Sequence, residues 1–386
     1  MIDDNFLNKN RLVNKVEDFI AQPEISHQPH RQVKKKFFIA IIILLLIGFV
    51  IANIMVFFPQ EQKEQIQQQV NEQQTNQNPA SQQQKKQPAI LPKQLSTEAE
   101  TKAYIINQLS NDVWLINLDK ETIIKKMTVG SFPTDGFADK DGLYITNTKD
   151  NTISVIDRLE EDVTETIPVG EMPQGIAAIG GEIFVVNTRG DTISVINKKT
   201  KEKKEIEQLK HPTLMVANAA RTRLYLASAD SNELTIINPF IRSVIKNIKV
   251  GTVPNSVAVS GDELFAVTTN KDSNDISVVP LKLQKEAHRI PVGITPVHAA
   301  MTPDNQLVFV ANKDSNNIAV VSLNTINVVK KIDIDAPTHV AIINDKAYVT
   351  SYTKNVIYII DINKLKIIGS IPVGIGPVSI VIKENL

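Results

Sequence analysis

Two histidines, His298 and His339, each stand two residues after a proline, in PVHAA and PTHVA. Asp135 and Ser379 hold the same place in PTDGF and PVSIV. Imidazole and carboxylate bind divalent cations or pass protons near neutral pH. Two histidines and one aspartate near a common axis could do either. Set around a wet channel, the same groups can instead do no more than hold ordered water. The choice depends on whether the elements that carry them converge. The chain has no cysteine, which excludes disulfides, thiolate metal sites, a cysteine nucleophile and C-x-x-C-H haem attachment.

Those elements repeat. YITNTKDNTISVID (Tyr144 to Asp157) returns as FVVNTRGDTISVIN (Phe184 to Asn197). A Tyr or Phe opens each copy, at Tyr104, Tyr144, Phe184, Tyr225, Phe265, Phe309 and Tyr348. An alternating apolar run follows, then a strand ending in a turn such as IPVGEMP or IKVGTVP, then a short apolar strand such as GIAAI. The turn prolines are Pro133, Pro173, Pro212, Pro254, Pro296, Pro337 and Pro377, spaced 39 to 42 residues apart. Period-2 alternation rich in Val, Ile and Tyr predicts strands. Four short strands in a unit of this length suit a propeller blade. Lettered from the inside outward, strand A follows the proline, B holds the Tyr or Phe, C is the ISVID run and D ends at Val-Gly.

The copies begin with B, C and D (Tyr104 to Gly130) and end with a lone A strand, PVSIVIK (Pro377 to Lys383). The last strand can therefore complete the first blade and leave no open edge. A and B strands each number seven. The Y-V-T-N-like segments (Tyr144 to Asn147, Tyr348 to Ser351), the N-x-I-S-V-I-D runs and the I-P-V-G-x-x-P turns resemble the YVTN-repeat family of seven-bladed propellers, YncE-like and surface-layer-like, over residues 103–386. The expected fold is all-β: a seven-bladed β-propeller of four-stranded antiparallel blades, the first closed by the C-terminal strand. The resemblance implies fold more than function, since propellers serve binding, scaffolding and several chemistries.

Ahead of the repeats, Phe37–Phe58 is an unbroken apolar run of 22 residues with Asn53 as its strongly polar member. As a helix it spans roughly 33 Å, enough to cross a bilayer core. It is too long and too far from the start for a cleaved secretion signal. Arg31, Lys34, Lys35 and Lys36 precede it, which places residues 1–36 in the cytoplasm and the propeller in the periplasm or outside the cell. Residues 59–102, rich in Gln, Asn and Lys, read as a flexible linker spanning roughly 35 Å root-mean-square. The absence of N-x-Ser/Thr sequons and the Asn, Ile and Lys bias fit a prokaryotic chain.

Lys plus Arg and Asp plus Glu number 42 each, so no bulk charge attracts nucleic acid. Gly130, Gly170, Gly251, Gly293 and Gly374 read as freedom for tight turns, and Asn147, Asn187 and Asn312 as Asx-type loop bonds. KKTKEKKE (Lys198 to Glu205) reads as a solvated outer edge. A site should break the sevenfold pattern, and the position two after each proline does: Asp135, Gly175, Leu214, Ser256, His298, His339 and Ser379. Asp135, His298, His339 and Ser379 are the candidate ligand-binding residues; no catalytic residue, metal or cofactor is assigned. The expected role is a monomeric, non-catalytic scaffold for an envelope protein, surface polymer or small ligand. The alternative is an enzyme at the channel mouth, a lactonase-like hydrolase or lyase; a third reading, a nucleic-acid-binding propeller, is disfavoured by the neutral charge balance.

Overall fold

Period-2 alternation becomes twenty-eight strands, from β1 (Lys102–Asn107) to β28 (Pro377–Lys383). They form seven antiparallel four-stranded sheets in a computed structural model that describes residues 100–286 and 288–383. Blade one has the order β28, β1, β2 (Asp112–Asn117), β3 (Thr122–Thr128). Blades two to seven follow in chain order. Their inner strands are β4 (Pro133–Ala138), β8 (Pro173–Ile179), β12 (Pro212–Ala217), β16 (Pro254–Val259), β20 (Pro296–Met301) and β24 (Pro337–Ile343).

The closing strand sits where the strand count put it. β28 pairs with β1 from Lys102↔Lys383 through Ile105↔Ile380. Its other neighbours are β4 and β24, so the inner strands form an unbroken circle. Among the described residues no helix is long and apolar enough to cross a membrane. The anchor expected at Phe37–Phe58, the segment before it and the linker as far as residue 99 lie outside the described residues.

The core is divided among the blade interfaces. Seven apolar clusters each join two successive blades, the last joining blade seven to blade one through Tyr348, Ile357, Ala103 and Ile105. The recurrent aromatic of strand B fills these layers: Tyr104, Phe184, Tyr225 and Phe309 are fully buried, and Phe265 is half-buried. Because each of these apolar layers is shared between two blades, neither face of a blade is complete alone.

Each D-to-A turn is locked by both of its neighbouring blades. The residue before each proline has positive φ, including Phe132 (58°), Val253 (53°) and Thr295 (55°). This conformation is costly for β-branched side chains. In every blade an Asn or Asp from the preceding B-to-C loop accepts that residue's N–H, as Asn111 Oδ1 does from Phe132 (2.8 Å) and Asn232 Oδ1 from Val253 (2.8 Å).

The glycines of the V-G turns serve a different end from the one their sequence suggests. Gly130 and its counterparts do not adopt positive φ. They make room for the next blade's asparagine: a Cβ on Gly130 would meet Asn147 Cγ at 2.6 Å, and one on Gly293 would meet Asn312 Cγ at 2.7 Å. Two turns are one residue shorter, with no glycine: Leu209 and Ile334 make the N–H bond that Val129 makes elsewhere. There the facing asparagine is a smaller residue, Ser228 or Ser351.

The lysine-rich hairpin also departs in part from expectation. β11 (Lys203–Ile206) is exposed apart from Ile206, as a solvated edge should be. Lys198 is not: it bonds Asp139 and, at 3.1 Å, Asp141 of blade two, with its side chain only 11% accessible. It links two blades.

Candidate functional site

Strand A enters the central channel at its proline, and the second residue after it lies just inside the mouth. In blades six and seven this places His298 beside His339, their rings stacked with centroids 3.8 Å apart and planes at 26°. His298 Nδ1 accepts the N–H of Val340 across the interface (3.3 Å). In the neutral ring that bond puts the proton on Nε2, so His298 presents a donor. His339 Nδ1 is buried without a partner among the described residues.

Both rings keep part of their surface accessible yet are densely surrounded by protein. Burial lowers His298 to about 4. Burial and the adjacent His298 hold His339 well below the usual histidine range. Two neutral rings stack without charge repulsion.

Asp135 and Ser379 form a second pair. Ser379 Oγ donates to Asp135 Oδ1 (3.0 Å), and the Asp135 N–H reaches Thr146 Oγ1 (3.0 Å). Burial pushes the Asp135 carboxyl up to about 6, against the opposing bonds from the Gly136 and Ile176 N–H groups and Ser379. The four candidate residues are thus joined as two doublets, His298 with His339 and Ser379 with Asp135. Among the described residues no three His, Cys, Asp or Glu gather as a metal site. Imidazole lone pairs lie in the ring plane, so near-parallel stacked rings do not aim at one ion.

A second ring at the mouth escaped the sequence reading. The residue after the last one of strand B donates its N–H to the carbonyl of the residue before each proline, as Thr148 does to Phe132 (3.1 Å) and Lys313 to Thr295 (3.0 Å). Four of these positions are Gln108, Thr148, Thr188 and Ala229; the others are Lys271, Lys313 and Tyr352. Some of their side chains bridge neighbouring blades. Thr148 Oγ1 donates to the Pro173 carbonyl of the next blade (2.6 Å). The Lys313 ammonium lies 5.0 Å from the Tyr352 ring centre, and Tyr352 Oη donates to Gln108 Oε1 (3.3 Å). The signal was present in the repeat: the residue after the Asn or Ser that ends each strand B varies from blade to blade, yet it reads as loop.

The seven blades and their closing strand coincide with the reach of one family model, the YNCE-like beta-propeller, which matches residues 92–385. The chain belongs to this family. No curated protein matches the chain. Solved structures similar to this YNCE-like propeller include Kuenenia stuttgartiensis hydrazine synthase, with a TM-score of 0.60 and 17% identity over 67% of this chain and 91% of that one. Dihydro-heme d1 dehydrogenase NirN in complex with DHE has a TM-score of 0.58 and 11% identity over 72% and 74%. Apo AztD from Citrobacter koseri has a TM-score of 0.57 and 12% identity over 74% and 98%. At these identities the likeness to the YNCE-like chain is one of fold.

Proposed function

We propose that this chain is a non-catalytic binding propeller, anchored in the cell membrane by Phe37–Phe58, that presents its channel mouth to a ligand or envelope partner outside the cytoplasm. The observation that carries the reading is where the sevenfold pattern breaks. Turns, caps and apolar layers repeat around the ring, whereas the residues at the mouth differ from blade to blade: Asp135, His298, His339 and Ser379 on the inner strands, with Gln108, Lys271, Lys313 and Tyr352 just after the second strands. Sites are singular while scaffolds repeat. A general base works best with a pKa near the operating pH. His298, at about 4, is poorly tuned for that task.

One observation favours the enzymatic alternative. Asp135, raised to about 6, suits proton transfer near neutrality. Two of the structural neighbours also bear enzyme names, a synthase and a dehydrogenase.

A photo-crosslinking residue at Thr252, exposed on the rim, tests the main reading in intact cells. It should capture an envelope component that is not captured from Lys246 on the outer strand of blade four. Equal capture from both positions would remove the mouth from consideration. External protease should release the propeller by cutting within residues 59–102; protection of that linker would reverse the proposed orientation.

A further inference from the structure

We propose that the mouth sector over blades five to seven binds an oxyanion, a carboxylate or phosphate carried on a small molecule. The inference rests on the binding-module reading and names its ligand class. Lys271 and Lys313 occupy equivalent rim positions in adjacent blades and are half-buried. Neither makes an ion pair among the described residues, where other lysines such as Lys198, Lys201 and Lys383 do. Their acidic chain neighbours, Asp272 and Asp314, are exposed, and Asp314 already accepts from Thr295 Oγ1 (2.6 Å).

Two ammonium groups on adjacent blades, neither held in an ion pair, attract an anion that reaches both. Tyr352 fixes one of them, since its ring lies under the Lys313 ammonium and its hydroxyl is tied to Gln108. On the blade that also carries Lys313, His298 adds a neutral N–H donor whose tautomer is set by Val340. An anion held there would meet two point charges and a directional hydrogen bond. Asp135 stands in blade two, two blades beyond His339 with Ser379 between, so the mouth is polar across its width. A ligand with an anionic end and a donor end would be oriented by it.

The test is calorimetric titration of the full chain with inorganic phosphate and, separately, with succinate, at constant ionic strength. Saturable binding of one equivalent of either probe is expected, and the probe that binds identifies a phosphoryl or an organic-acid ligand. Lys313→Gln and Lys271→Gln should each weaken it about tenfold, as loss of one charge-assisted contact does. Lys313→Arg should retain it, and Lys246→Gln on the outer strand should leave it unchanged. His298→Gln should weaken it in protein whose melting curve stays cooperative. Failure of both probes to saturate, or binding that survives the double variant Lys271→Gln with Lys313→Gln, overturns the proposal. If rim crosslinks still form after that failure, only the anion subsite falls; if they also vanish, the binding-module reading falls with it.

Discussion

Replacing Gly130 by alanine tests the packing between blades one and two. The added methyl would lie 2.6 Å from Asn147 Cγ, 2.7 Å from its Nδ2 and 2.8 Å from Asp150 Oδ2. Asn147 is fully buried, and its amide donates to Thr152 Oγ1 (3.0 Å) and Ser154 Oγ (2.9 Å), so it cannot swing aside without losing both bonds. Overpacking of this kind costs about 1–3 kcal/mol. Asn147→Ser alone removes the two bonds and should cost about 1–2 kcal/mol. Together the changes ease the clash, because serine has no Nδ2 and its single γ oxygen can turn away by one rotation, leaving the contact with Asp150 Oδ2; serines, Ser228 and Ser351, also stand opposite the two turns that lack glycine. The double variant should therefore lie about 1–2 kcal/mol above the sum of the singles. Urea unfolding of all four proteins, at one temperature, gives the cycle. Gly130→Ala within about 0.5 kcal/mol of wild type, or strict additivity, would show that the glycine is not there to admit the asparagine.

Removal of Pro377 to Leu386 should lower stability by several kcal/mol, since it strips β1 of its partner and buried Ile380 from the core; an unchanged melting temperature would refute closure by β28. Lys198→Met should cost about 3 kcal/mol by leaving Asp139 buried and unpaired, whereas Lys199→Met, on an exposed position, should cost less than about 0.5 kcal/mol; equal effects in thermal melts would deny Lys198 its linking role. Histidines held below 6.5 in the fold are protonated first in the unfolded chain, so His298 and His339 withdraw stability as pH falls from 6.5 towards 4. Asp135, raised from 3.8 to about 6, acts oppositely and adds stability as pH falls from 6 towards 4. Asp135→Asn should therefore steepen the acid-side decline in melting temperature, and His298→Gln with His339→Gln should flatten it; profiles parallel to wild type would contradict both assignments.

Strands, blade number and closure were legible because each rests on a local signal repeated seven times: a buried aromatic, an alternating run and a turn proline. The pairing of His298 with His339 was legible for a related reason, since repeat position converts to angle around a ring. The role of Gly130 was not legible, because its reason lies in Asn147 of the next blade and no local propensity records that contact. Nor would any scale place positive φ at Val253 or Thr295, where a neighbouring Asn side chain holds the turn. Lys198 looked solvated because its two partners, Asp139 and Asp141, are nearly sixty residues away in the chain. The stacking of the histidines and the rim lysines depend on side-chain direction, which spacing alone does not fix.

The partner of β1 is also the last of the propeller's strands to be made. From Lys102 to Pro377 the ribosome must add 275 more residues (377 − 102), which takes roughly 14–55 s at ordinary elongation rates. Throughout that interval the inner edge of β1, KAYIIN, has open backbone groups and no native strand to receive them. Blade one, first to emerge, is therefore last to be finished, and its completion waits on the slowest kind of contact, one between the two ends of the domain. A nascent propeller of this design is most exposed to mispairing with another copy just before its final residues arrive.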